Sequence, residues 1–264
     1  MNLIELRDVC AGYPGADVLK NISLSFRAGE FTALIGPNGA GKSTLMKTIA
    51  GNIIPSSGAV SFNGTPLCSI DAAAFAREVS VVHQTMENIP PFSVTEFVRL
   101  GRFPHLSPFT LETTGDTGII ENAMERAGVT HLRNRILMQL SGGELQLVCI
   151  ARALAQSDRV ILLDEPISHL DISHSVGVMD LLHSLNEKGT TVLAVLHDIN
   201  IASDYCHRIV ALKNGEVFAS GTPAEVIDYR IIERLFDTVC VVFENPITKK
   251  PYTFPVPGYM KSGQ

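Results

Sequence analysis

No apolar run in the 264 residues reaches the ~18 that a membrane span needs. Any membrane connection must therefore go through a partner. The N-terminus, Met1-Asn2-Leu3-Ile4-Glu5, lacks a basic segment followed by an apolar stretch, which argues against a secretory signal. A basic excess is missing too. The net charge is -6, the wrong sign for the field of a protein that grips nucleic acid. The five cysteines, Cys10, Cys68, Cys149, Cys206 and Cys240, are scattered and odd in number, with no C-x-x-C and no Cys/His ligand spacing. They read as free thiols in a reducing cytosol, not as a disulfide framework or a zinc site. The chain has no internal repeat and no low-complexity tract.

What is present is a 45% hydrophobic, 18% charged chain with enough apolar material for a sizeable core. The length fits one large domain or two small ones. Short β-like runs over 3–9, 23–27 and 31–35 alternate with turns, and a helix is predicted from Lys42 to about Ala50. Val60 and Phe62 lie on a short strand before the Asn63-Gly64 turn. Residues 79–82 read as a buried strand. The middle differs. Ser93-x-x-Glu96 is a capping box, and helical patterns follow over 119–127 and 144–155, so about 85–157 reads as a mostly helical insert. The α/β pattern resumes with short apolar strands over 160–163 and 191–196, of the kind covered on both faces. Asp171 caps a helix reaching Glu187, and Thr222-Pro223-Ala224-Glu225 opens another. The end, from 242 to 264, carries four prolines and is expected to be an extended tail to a 1–241 domain.

Three motifs carry chemistry. Gly36-Pro37-Asn38-Gly39-Ala40-Gly41-Lys42-Ser43, followed by Thr44, fits G-x-x-x-x-G-K-[ST] between a predicted strand and a predicted helix. Glycines let successive N–H groups surround an anion, and the helix aims its positive end at the same point. Lys42 adds a full charge near the β- and γ-phosphates, and the Ser43 hydroxyl is a hard ligand for Mg²⁺. By itself this motif says only that a nucleotide binds.

The second motif is the apolar run 160–163 ending in Asp164-Glu165. On a strand the two acids point to opposite sides. Asp164 is assigned to Mg²⁺, directly or through water. Glu165 is assigned as the general base or water-orienting group. The third is Leu140-Ser141-Gly142-Gly143-Glu144 ahead of a long helical pattern. It presents a hydroxyl, glycine amides and a helix N-terminus, which makes a second anion site. In isolation such an S-x-x-E is an ordinary helix cap.

Together, in this order and spacing, GPNGAGKST, LSGGE and ILLDEP resemble the ABC ATPases over about residues 3–240. The resemblance implies an α/β fold: a P-loop NTPase ABC ATPase core with an antiparallel β subdomain and an inserted helical subdomain. It implies a head-to-tail dimer with a second copy, sandwiching two ATP with Mg²⁺. The phosphate loop of one chain would face Ser141, Gly142 and Gly143 of the other. By the same resemblance Gln84 is the Q-loop glutamine, a sensor of Mg²⁺ and water. Asp171, in Ser168-His169-Leu170-Asp171, is the D-loop aspartate. His197 is the switch histidine on the γ-phosphate, and Tyr13 is the aromatic that stacks on adenine. Three residues depart from the common pattern: Ile167 in place of Thr, Leu147 in place of Arg, and His83 in place of Pro.

One cassette with no span points to separate partners. These are two integral membrane permease subunits and, in the assembled system, an extracytoplasmic substrate-binding protein, with no nucleic acid. The chain would sit peripherally on the cytoplasmic face of the inner membrane. The stretch from Pro91 to His105 and the end from Gly221 to Pro251 look like importers of ferric siderophores, haem and corrinoids. Phe92, Phe97, Phe103 and Phe109 place large rings in the insert, where a short helix of each permease would dock. The competing class is a soluble, non-transport ABC ATPase acting on nucleic acid or cluster assembly, and the acidic balance argues against the first of these.

Overall fold

The computed structural model of the protein describes residues 2–83, 91–106 and 114–259. They fall into two compact units, one of Met1–Cys68 with Leu193–Gln264 and one of Ser69–Val192.

The first unit opens with two long strands, β1 (Asn2–Tyr13) and β2 (Ala16–Arg27), paired antiparallel from Asn2↔Arg27 to Tyr13↔Ala16. Leu19, Ile22, Leu24 and Phe26 are buried on β2, and Leu6, Val9 and Ala11 on β1. Each set contains one three-residue step, and each step holds a left-handed residue, Asn21 (φ 54) or Asp8 (φ 49). Such an extra residue bulges the strand and returns the apolar side chains to the core face. After β3 (Phe31–Ile35), buried at every position, come α1 (Lys42–Ile49), β4 (Ser57–Phe62) and β5 (Thr65–Pro66). The antiparallel sheet has the order β2-β1-β4-β5.

The second unit begins with α2 (Ala72–Ala76), whose first turn is capped by Asp71, and β6 (Val79–Val82). Helices α3 (Val94–Arg99), α4 (Thr114–Arg126) and α5 (Gly142–Gln156) follow, with α3 and α4 both packed on α5. Phe97, Val98, Met124, Leu137, Val148 and Ile150 are buried there. A buried ion pair joins the segments: Arg102 Nε donates to Asp116 Oδ1 at 2.9 Å, and Arg102 Nη1 donates to the Ala155 carbonyl at 2.6 Å. Then β7 (Val160–Asp164) pairs in parallel with β6, from Val79↔Val160 to Val82↔Leu163, and α6 (Ile172–Glu187) returns the chain.

Strand β8 (Thr191–Val195) carries the chain back to the first unit, followed by α7 (Ile199–Tyr205), β9 (Arg208–Lys213) and β10 (Glu216–Gly221). β9 lies between β3, which it pairs in parallel, and β10, which it pairs antiparallel. Short helices α8 (Pro223–Val226) and α9 (Tyr229–Phe236) lead to a hairpin of β11 (Cys240–Glu244) and β12 (Pro251–Pro255). The boundary expected after residue 241 thus falls inside β11, the residues read as an extended tail hold the rest of this hairpin, and it is anchored. Asn200 Oδ1 accepts from the Thr253 amide at 2.7 Å, and Ser203 Oγ donates to the Pro251 carbonyl at 2.7 Å.

Candidate nucleotide site

The phosphate loop leaves the end of β3 through backbone shapes that only glycine accepts easily. Gly36 has φ 146, Gly39 φ 79 and Gly41 φ 100. A Cβ on Gly36 would also strike the Leu212 carbonyl oxygen of β9. Gly41 is the N-cap of α1 and offers no side chain to it, and the start of a helix is where an anion is favoured. Lys42 is buried at 6% exposure. Its ammonium donates to the carbonyls of Gly36 at 2.8 Å and Pro37 at 3.0 Å, which holds the charge inside the loop's own turn. Asn38 and Gly39 are exposed at the loop tip, Pro37 and Ser43 are half-buried, and Ala40 and Thr44 are buried. The Ala40 carbonyl accepts from the Gly215 amide at 3.1 Å and ties the loop to the β9–β10 turn.

The same unit holds Tyr13 and His197. Tyr13 is 50% exposed, its hydroxyl accepting from Lys47 Nζ at 3.2 Å. It lines a cavity of about 360 Å³ with Gly12, Gly15, Ala16, Asp17, Ile54 and Ser56. His197 is exposed and stands two residues beyond β8. The Leu196 amide donates to the Leu34 carbonyl at 3.0 Å, so His197 follows a residue fastened to β3 just before the phosphate loop.

In the second unit β7 is buried through Leu163 and ends at a half-buried Asp164. Glu165, also half-buried, lies beyond the strand with φ 54. The strand alternation expected to send the two acids to opposite sides therefore does not govern the pair; a left-handed turn aims Glu165. For a non-glycine residue that turn costs on the order of 1–3 kcal/mol and must be held by its surroundings. Ser168 holds it. Its amide, at 3.2 Å, and its hydroxyl, at 2.9 Å, both donate to the Glu165 carbonyl.

Ser141 is the N-cap of α5 in a complete capping box. The Ser141 amide donates to Glu144 Oε2 at 2.8 Å, and the Glu144 amide donates to Ser141 Oγ at 3.3 Å. The Ser141 amide and hydroxyl, in that order, hold the Glu144 carboxyl below the usual range, and Arg135 adds to the effect. Gly142 is exposed and Gly143 buried. Asp171 caps α6: its Oδ1 accepts from the His174 amide at 2.8 Å, while its Oδ2 lies 2.8 Å from His174 Nδ1. These bonds, the amide's first, lower the Asp171 carboxyl below its ordinary value. Ile172, at 86% exposure, and Val176, at 44%, form an apolar strip beside Asp171.

The first unit thus collects Tyr13, the phosphate loop and His197, and the second collects the acid pair, Ser141 to Gly143 and Asp171. Gln84 lies outside the described residues. Of the aromatics expected at a docking surface, Phe103 (75%) and Phe92 (38%) are exposed, whereas Phe97 (3%) is core of α3 against α5. Phe109 lies outside the described residues. Leu147 and Ile167 are half-buried and His83 is exposed. The roles of Ser168 and His174 escaped the motif reading. Their signals were local: a serine three residues after Glu165, and the spacing Asp171-x-x-His174.

A glycine-built phosphate loop opening a helix, with an apolar strand that ends in paired acids, defines an α/β P-loop nucleotide-binding protein. The family model for the ABC transporter matches residues 19–168. The chain belongs to the ABC transporter family. It is 37% identical to the ferric enterobactin transport ATP-binding protein FepC of Escherichia coli K12, over 93% of this chain and 91% of that protein. It is 38% identical to the hemin import ATP-binding protein HmuV of Nocardia farcinica, over 92% and 84%. A bacterial ABC transporter cassette solved as a dimer superposes with a TM-score of 0.72 at 32% identity, over 83% of this chain and 98% of that one. A putative metal-chelate type ABC transporter in an inward-facing conformation gives 0.85 over 98% and 99%; at 24% identity that likeness speaks to fold.

Proposed function

We propose that this chain is the ATP-hydrolysing subunit of an importer for a metal-chelate type substrate, an iron-siderophore, haem or a corrinoid. The observation that carries the ATPase reading is the phosphate loop: three glycines of positive φ leading from β3 into the start of α1, with a buried lysine held inside the same turn. Tyr13, exposed beside a cavity, is the stacking surface for adenine, a contact commonly worth ~1–3 kcal/mol. His197 contacts the γ-phosphate. The half-buried Ser43 hydroxyl and Asp164 carboxylate are hard oxygen donors of the class Mg²⁺ prefers, with Gln84 as a further donor. When bound, Mg²⁺ neutralises charge developing on the phosphates. Glu165 orients or deprotonates the attacking water, a role typically worth ~10²–10⁴-fold in rate.

The second anion site, Ser141 to Gly143, serves a second copy in a head-to-tail ATP sandwich. The exposure of Ser141, Gly142, Asp171 and Ile172 supports this, since these are the groups such an interface would cover. Among the described residues no helix is long and apolar enough to cross a membrane. In this reading, which the importer relatives support, the chain works from the cytoplasmic face through two permease subunits, with an extracytoplasmic binding protein supplying cargo. The relatives that transport ferric enterobactin and import hemin support the cargo class. Replacing Glu165 by Gln tests the core of this reading. The variant should keep ATP binding, lose nearly all turnover and accumulate as an ATP-bound dimer; near-normal steady-state hydrolysis contradicts it.

A further inference from the structure

The D-loop and the signature of one chain meet at a residue that neither motif contains. His174, in the first turn of α6, has its Nδ1 2.8 Å from Asp171 Oδ2. The other side of its imidazole occupies the space where a Cβ on Gly143 would lie, so ring and glycine backbone are in close approach. Asp171 is used twice: Oδ1 caps α6 through the His174 amide at 2.8 Å, and Oδ2 takes the ring. A carboxylate accepts only, so the bond requires a proton on Nδ1. The imidazole is thus fixed at one end by the D-loop aspartate and set at the other against Gly143, the second residue of α5. Gly142 is backed by the same segment, with Leu170 Cδ2 3.6 Å from where its Cβ would stand.

We propose that His174 is a positioning residue for ATP hydrolysis. It locks the signature amides of Gly142 and Gly143 to the D-loop, so that both approach the nucleotide of the second copy as one rigid piece. The inference rests on the composite-site reading above. The signature glycines have no side chains with which to hold themselves, and the capping box of Ser141 and Glu144 fixes only the start of their own helix. A neighbour must set their distance from the D-loop, and His174 is the side chain placed to do it. The presence of glycine at 143 has the same cause: any side chain there would displace the ring. Misplacement by an ångström of groups that position the reactants can cost on the order of a hundredfold in rate.

Three substitutions in the full chain separate the parts of the device. His174→Ala removes ring and hydrogen bond. His174→Asn keeps a donor at the place of Nδ1. His174→Phe keeps a ring and loses the donor. All three retain the backbone amide that Asp171 caps, so α6 keeps its start. With Mg-ATP, His174→Ala should lower kcat by roughly tenfold or more while ATP affinity of the phosphate loop stays unchanged. His174→Asn should recover most of the rate, and His174→Phe should not. Independently of activity, amide hydrogen exchange over residues 141–146 should speed up in the Ala and Phe variants and stay near wild type in Asn. Unchanged exchange and unchanged kcat in His174→Ala overturn the proposal. Equal rescue by Phe and Asn also overturns it, since the hydrogen bond to Asp171 would then be dispensable. A wild-type chain that binds no ATP refutes the nucleotide reading instead, while the exchange measurement still decides whether His174 holds the signature.

Discussion

Gly36 and Gly39 lie three residues apart in one loop, yet replacing each by alanine should have different costs. Both have positive φ, 146 and 79. At Gly39 nothing lies within 4 Å of the added Cβ, so the cost is backbone strain alone, about 1–2 kcal/mol. At Gly36 the Cβ runs into the Leu212 carbonyl, and that oxygen belongs to β9, which is held by β3 on one side and β10 on the other. Backbone strain of about 1–3 kcal/mol is then joined by an overpacking term of about 1–3 kcal/mol. For a chain of this size each kcal/mol moves Tm by about 2–4 °C. Gly36→Ala should therefore unfold several degrees below Gly39→Ala when both are scanned by calorimetry without nucleotide. It should also bind ATP more weakly, because relief of the clash moves the loop's amides. Equal melting temperatures, or a larger fall in Gly39→Ala, would refute this reasoning.

The buried pair in the second unit gives a second test. Arg102 and Asp116 side chains are 9% and 11% exposed, and truncating one partner of such a pair costs about 3–5 kcal/mol. Arg102→Ala should lower Tm accordingly, whereas Arg133→Ala, whose pair with Glu121 is 44% and 39% exposed, should cost less than about 1 kcal/mol. At the proposed permease surface, Phe103→Glu should weaken co-purification with the membrane subunits and leave the basal ATPase of the isolated chain intact. Loss of both together would show that Phe103 is structural.

The phosphate loop was legible because its chemistry is local: glycines, lysine and serine at fixed spacing between β3 and α1. Helices with strong caps were legible for the same reason. Asp171 and Glu187 bound the helix expected there, and Ser141 starts α5 where S-x-x-E said it would. β2 was read only over 23–27, although it runs from Ala16, because the left-handed Asn21 breaks the period of two midway. α9 and α7 are only eight and seven residues long, about two turns each, too short for a period to declare itself. The hairpin of β11 and β12 was hidden by its prolines, which sit at the strand ends and not in the paired middle. At the site, strand alternation failed for Asp164 and Glu165 because β7 ends between them. Glu165 is held by Ser168, three residues on, a local signal that no motif flags, whereas the approach of the His174 ring to Gly143 joins segments some thirty residues apart and no spacing rule announces it.

The central claim is that one chain's phosphate loop works with another chain's signature. The most direct measurement mixes a Lys42→Ala chain with a Ser141→Arg chain and assays Mg-ATP hydrolysis. Each homodimer has both sites damaged, while a mixed dimer retains one intact site, built from Lys42 of one chain and Ser141 of the other. Heterodimer formation and single-site ATP occupancy are measured on the same samples. The account predicts hydrolysis well above both parents, with one ATP held per mixed dimer. Proven heterodimers that neither hydrolyse above the parents nor hold ATP at a single site would contradict it.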